Sequence, residues 1–183
     1  EEYIDSLIDN IWENIHQSLP IYFASGLSGI GWGVDFLLYH KIIGGSGTEL
    51  CKEIDERIML TDPRRITDWS FEKGLGGILH YVLMHLGSAL LQDDKLPFDD
   101  TYLHDLHQAV IKINLEKTDK KFQNDAKQYI GFYLRKEIPK LSFSLEGLVD
   151  EMTINESRLS NYPLGLKQGL AGVLIKRTVL NCL

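Results

Sequence analysis

Gly26-Leu27-Ser28-Gly29-Ile30 returns as Gly74-Leu75-Gly76-Gly77-Ile78 and again as Gly169-Leu170-Ala171-Gly172-Val173. Written generally, the phrase is Gly-Leu-small-Gly-β-branched, and three copies in 183 residues point to an internal repeat. The spacing sets its period. Gly26 and Gly74 are 48 residues apart, while Gly74 and Gly169 are 95 apart, almost twice as far. A further copy that has lost its glycines is therefore expected near residue 121.

A unit of that length has room for two helices and two connections. Ile4, Leu7, Ile8, Ile11, Trp12 and Ile15 follow the i, i+3, i+4, i+7 rule of an amphipathic helix, and Pro20 marks its stop. Similar stripes predict helices over about Thr48 to Leu60, with Leu50, Ile54 and Ile58 inward, from about Asp100 onward, and over about Leu145 to Leu159. The stretches Gly29 to Ile43 and Gly76 to Leu91 are apolar nearly all round, as befits helices buried on every side. Asp119 to Ile138 stands where the third inner helix belongs but is far more polar. Strand and hairpin signals are almost absent. The expectation is an all-α chain, residues 1–183 forming one domain of about four helix hairpins.

Two glycines three residues apart share one face of a helix, where missing side chains let another backbone approach. Close packing between inner helices is the first role expected of them. The second is a ligand site, in which helix N-termini converge on a cavity and offer free amides.

Composition limits the function. A net charge of −7, with no basic cluster longer than Arg64-Arg65, disfavours nucleic-acid binding. No apolar run reaches the about 18 residues a membrane helix needs. Two distant cysteines, Cys51 and Cys182, supply neither a disulfide framework nor a metal knuckle, so a reducing, cytoplasmic setting is expected. Cys51 falls in a predicted outer helix among Glu49, Lys52 and Glu53.

Glycine-rich inner helices at this interval, each opening Gly-Leu-x-Gly, resemble the lanthionine synthetase C (LanC-like) family. Ala24-Ser25-Gly26-Leu27-Ser28-Gly29-Ile30-Gly31 carries the resemblance best, followed by Tyr162-Pro163-Leu164-Gly165-Leu166-Lys167-Gln168-Gly169-Leu170-Ala171-Gly172. The resemblance implies an α/α toroid, here partial, and an association with peptide modification. Family members use a zinc-bound cysteine thiolate to add to a dehydrated Ser or Thr. The Trp-Cys-x-Gly and Cys-His-Gly elements that hold the zinc are missing from this sequence, so no catalytic residue carries over and no metal or cofactor is expected. Two functions follow: a relative or fragment of a thioether cyclase, or a non-catalytic scaffold holding a peptide or protein partner. The apolar last helix, Gly169 to Leu180, adds an expectation of self-association.

Three residues are the candidate ligand contacts: Trp32, Asp35 and His80. Trp32 and Asp35 follow the first motif, and Asp35 lies among Val34, Phe36, Leu37 and Leu38, where an unpaired carboxylate is costly. It either orients a ligand or caps a neighbouring helix, capping being favoured. His80 and His85 are five residues apart on different faces, so one lines a cavity or both are hydrogen-bonded core histidines. His104 and His107, near Asp100, have the i, i+3 spacing of metal ligands, against the alternative of a solvated outer face. Gly44-Gly45-Ser46-Gly47 reads as a flexible linker, since neither strand nor Gly-Lys-Ser/Thr gives it a phosphate-loop context, and Arg64-Arg65 as a solvated loop. No nucleophile, base and orienting acid can be paired by spacing.

Overall fold

A computed structural model describes residues 19–143, 149 and 162–182. Among the described residues the chain is all-helical: α1 (Leu27–Tyr39), α2 (Gly47–Leu50), α3 (Lys52–Met59), α4 (Leu75–Leu91), α5 (Asp100–Ile111), α6 (Lys120–Arg135) and α7 (Leu170–Cys182). Short 3-10 turns cover Pro63–Arg65 and Leu115–Lys117. The helices expected from Ile4 and over Leu145 to Leu159 lie outside the described residues, apart from Val149. None of the described helices is long and apolar enough to cross a membrane.

The inner helices are those expected from their all-round hydrophobicity. Leu27 through Leu38 of α1 and Leu75 through Ala89 of α4 are buried without a break. α1 packs on α4, α4 on α6, and α7 on the other flank of α1, so the four inner helices follow one another in the order α7, α1, α4, α6. α3 lies against α1, α2 against α4, and α5 against α6. α6 buries only one side, through Phe122, Asp125, Ala126, Tyr129 and Phe132, which accounts for its polar sequence. The outer helix expected over Thr48 to Leu60 is two helices. The chain bends at Cys51 (φ −92°, ψ 3°), which ends α2, starts α3 and is wholly buried rather than on an outer face.

The glycine motifs do something other than admit a neighbouring helix. Before each motif the chain doubles back across the first turn of its own helix. A Cβ on Gly26 would stand 1.9 Å from the Pro20 carbonyl oxygen, and one on Gly29 1.9 Å from that of Phe23. Both carbonyls lie six residues upstream, and the same register holds for Gly74 and Gly77 against Asp68 and Phe71, and for Gly169 and Gly172 against Pro163 and Leu166. The close approach turns upstream carbonyls into caps. Leu27 N–H donates to Pro20 O (2.9 Å), Leu75 N–H to Asp68 O (2.8 Å) and Leu170 N–H to Pro163 O (2.9 Å). Helix-start amides that were expected to be open to a ligand are therefore partly spent within the chain. α6, the copy without the motif glycines, has another solution: Asp119 caps it, its carboxylate accepting from Phe122 N–H at 2.8 Å.

The doubled-back loops also bind one another at equivalent positions. Lys167 N–H donates to Ala24 O (2.9 Å) and Ala24 N–H to Glu72 O (3.0 Å), each residue standing two before the first glycine of its motif. The Lys167 and Glu72 side chains pair above this seam. Phe23 of the first loop seats on Gly77 of α4, and Leu166 of the third on Gly29 of α1, so these two loops each lock the next inner helix.

Candidate functional site

Helix α4 carries two histidines on different faces, and each organises a polar centre. His85 is the hub of the first. Its Nδ1–H donates to Asp35 of α1, 2.9 Å from either carboxylate oxygen, and its Nε2–H to Asp55 of α3 at 3.1 Å. Tyr81, one turn earlier on α4, donates its hydroxyl to the other Asp55 oxygen at 2.6 Å. All four side chains are essentially inaccessible. Burial alone pushes the His85 imidazole toward neutrality, but the charge and hydrogen bonds of Asp35, joined by those of Asp55, overturn this and raise its pKa to about 10. Burial raises the Asp55 carboxyl, against the opposing hydrogen bonds from His85 and Tyr81. Cys51, buried beside them, has its thiol pushed well up by burial and then by the Asp35 and Asp55 charges, so it is a poor nucleophile.

The capping role expected of Asp35 is thus not the one it plays: its carboxylate is committed to His85. The glycine-serine stretch is no free tether either. Gly47 covers the pair, a Cβ there lying 3.3 Å from an Asp35 oxygen and 3.5 Å from His85 Cε1. Ser46 Oγ donates to Asp94 at 2.5 Å and Thr48 Oγ1 to Lys95 O at 3.0 Å, pinning the stretch to the chain beyond α4.

His80 forms the second centre. Its Nδ1–H donates to Asp125 of α6 at 3.0 Å, which leaves Nε2 as an acceptor facing the Lys121 amine at 3.5 Å. Burial holds the His80 pKa below its ordinary value despite Asp125, and Lys121 adds to the lowering. Phe71, Phe23 and Trp32 wall the imidazole, with ring centroids 5.4, 5.7 and 6.5 Å away. Trp32 is fully buried and its Nε1–H has no hydrogen-bond partner among the described residues. Of the three candidate contacts, the fold brings Trp32 and His80 together and sends Asp35 to the other centre.

An apolar cavity of about 180 Å³ opens between α1 and α7, lined chiefly by Ile30, Gly33, Val34, Leu37, Leu174 and Ile175. It shares Ile43 and Gly44 with a wider groove of about 570 Å³ at the C-terminal ends of α1 and α4, where Tyr39 and Leu91 are exposed.

The other sequence candidates separate. His104 is exposed and hydrogen-bonded to the Tyr133 hydroxyl at 2.8 Å. His107, expected on a solvated face, is buried and stacked on the Tyr133 ring at 4.3 Å because α6 packs there. Arg64 is no loose loop residue; it pairs with Asp62 and Asp105, each at 2.8 Å. Among the described residues no three His, Cys, Asp or Glu side chains are grouped to hold a metal ion. The sequence did hold signals for the residues it left unread: Tyr81 with His85, Cys51 with Asp55 and Lys121 with Asp125 are all i, i+4 pairs.

No family model, curated protein or solved structure matches the chain.

Proposed function

We propose that this chain is a LanC-like helical module, an arc of an α/α toroid, that serves as a scaffold for an apolar peptide segment rather than as a thioether cyclase. The order α7, α1, α4, α6 and the loops bonded at equivalent positions support the arc. Against cyclase chemistry stand the missing Trp-Cys-x-Gly and Cys-His-Gly elements and the buried, poorly acidic Cys51. One observation carries the binding role: the apolar cavity between α1 and α7 runs into a groove at the ends of α1 and α4. A pocket of that kind takes a Leu or Phe side chain while the groove receives the flanking backbone.

The test is fluorescence polarisation with a labelled Gly-Ser peptide carrying one central Leu-Phe pair. Binding is expected, with loss on replacing the pair by Ser-Ser. Val34→Phe, which fills the cavity, should abolish binding while the protein keeps a cooperative thermal transition. Equal polarisation with both peptides sinks the scaffold role. Sedimentation tests the accompanying expectation of self-association, which a strict monomer at high concentration contradicts.

A further inference from the structure

We propose that Lys121 is a reactive amine that condenses with neutral aldehydes and ketones, with His80 moving the protons and Asp125 holding His80 in the working tautomer. This role is separate from peptide binding, since none of the three residues lines the apolar cavity.

The three side chains form a relay. Asp125 accepts from His80 Nδ1–H at 3.0 Å, and His80 Nε2 faces Lys121 Nζ at 3.5 Å. Nucleophile, base and orienting carboxylate stand in the sequence that activates a serine in a hydrolase, with an amine in the serine's place. Because a carboxylate only accepts, its bond to Nδ1 fixes the Nε2 lone pair toward the lysine. Lys121 belongs to an exposed residue position, yet its amine is held over the Phe71 ring, 4.6 Å from the centroid. It is therefore placed in one spot, half-buried on a residue that keeps one side toward solvent. Burial of the amine lowers its pKa, against the opposing charges of Asp125 and Asp119. Its position in the first turn of α6, at the positive end of the helix dipole, works in the same direction as burial. Two nearby carboxylates and the Phe71 wall disfavour an anionic partner, so the carbonyl compound is neutral.

The chemistry balances without a redox partner. The Lys121 ammonium gives one proton to His80 Nε2, and the neutral amine attacks the carbonyl carbon, forming C–N as the carbonyl π pair moves to oxygen. That oxygen takes the proton from His80. His80 then removes a second proton from nitrogen and returns it to the hydroxyl, which leaves as water while the nitrogen lone pair forms C=N. Ammonium and carbonyl compound become a protonated imine and one water.

Lys120 is the internal control: it is adjacent, exposed and outside the relay. The whole chain is exposed to a limiting amount of benzaldehyde with cyanoborohydride, which reduces the imine to a stable benzylamine, and peptide mass spectrometry scores each lysine. Lys121 should be modified at least about tenfold faster than Lys120, because a positioned base serves one lysine and not the other. Asp125→Asn lets His80 take the other tautomer, so the lead should fall toward parity while circular dichroism stays helical. Lys121→Arg should remove the fast signal without raising that of Lys120. Equal rates in the unaltered protein overturn the proposal, and so does a full lead in folded Asp125→Asn.

Discussion

His80 and His85 share a helix, lie five residues apart and are both buried, yet their surroundings push their pKa values in opposite directions. Two carboxylates from two other helices clasp His85, and its pKa rises to about 10. One carboxylate meets His80, a cation stands on its far side, and burial wins. Burial is common to both sites, so the number and sign of the neighbouring charges decide the outcome. The first site works as a fastening, a cation tying α1, α3 and α4 together. The second keeps a nitrogen lone pair available.

Removing the cation should break the contrast most severely. His85→Leu leaves Asp35 and Asp55 buried without their counter-charge, and urea denaturation should show a loss of about 3–5 kcal/mol. His80→Leu removes a neutral ring and should cost less by the same measurement.

The pH dependence comes next, with opposite signs at the two sites. The His85 pKa is raised in the fold, so its stabilisation is complete below about 6.5 and is lost as pH climbs toward about 10. The His80 pKa is lowered, so its contribution is complete above about 6.5 and lost as pH falls through its folded value. Tyr81, whose hydroxyl burial holds well above its ordinary 10, adds to the alkaline loss only past that point. Lys121, with a lowered pKa, opposes the alkaline loss near its upper end. Unfolding midpoints across pH should therefore fall on the alkaline side in the unaltered protein, and that limb should flatten in His85→Leu while remaining in His80→Leu.

Tyr81→Phe is a finer probe of the fastening. It removes the 2.6 Å hydrogen bond to Asp55 and keeps the ring stacked on His85, so a loss of about 1–3 kcal/mol is expected from denaturant titration. The smallest effect belongs to Lys121→Met. Taking away this cation should raise the His80 pKa and leave that of His85 in place, and NMR titration of the two imidazole Cε1 protons reads both at once.

The helices were legible because hydrophobic period is a local property: Ile54 and Ile58 face inward, and α1 and α4 are buried all round, as their residues indicate. The glycines announced close contact but not its partner, since nothing in Gly-Leu-x-Gly says whether the approaching backbone is another helix or the chain six residues upstream. The polar centres were less legible. Asp55 sits among Glu53, Glu56 and Arg57, where a carboxylate reads as solvated, and only the packing of α3 on α1 turns it inward. His85 and Asp35 are 50 residues apart, and His80 and Asp125 are 45 apart, separations over which a lone sequence carries no register.

The seam of backbone hydrogen bonds running Lys167, Ala24, Glu72 has a consequence for the order of assembly. Its first link joins residues 143 positions apart. During synthesis α1 and α4 can associate early, but the flank of α1 around Gly29 stays bare until Leu166 has left the ribosome. Long sequence separation of this kind slows the final step of folding, and a nascent chain paused before α7 presents an unsealed apolar edge to chaperones and to other copies of itself.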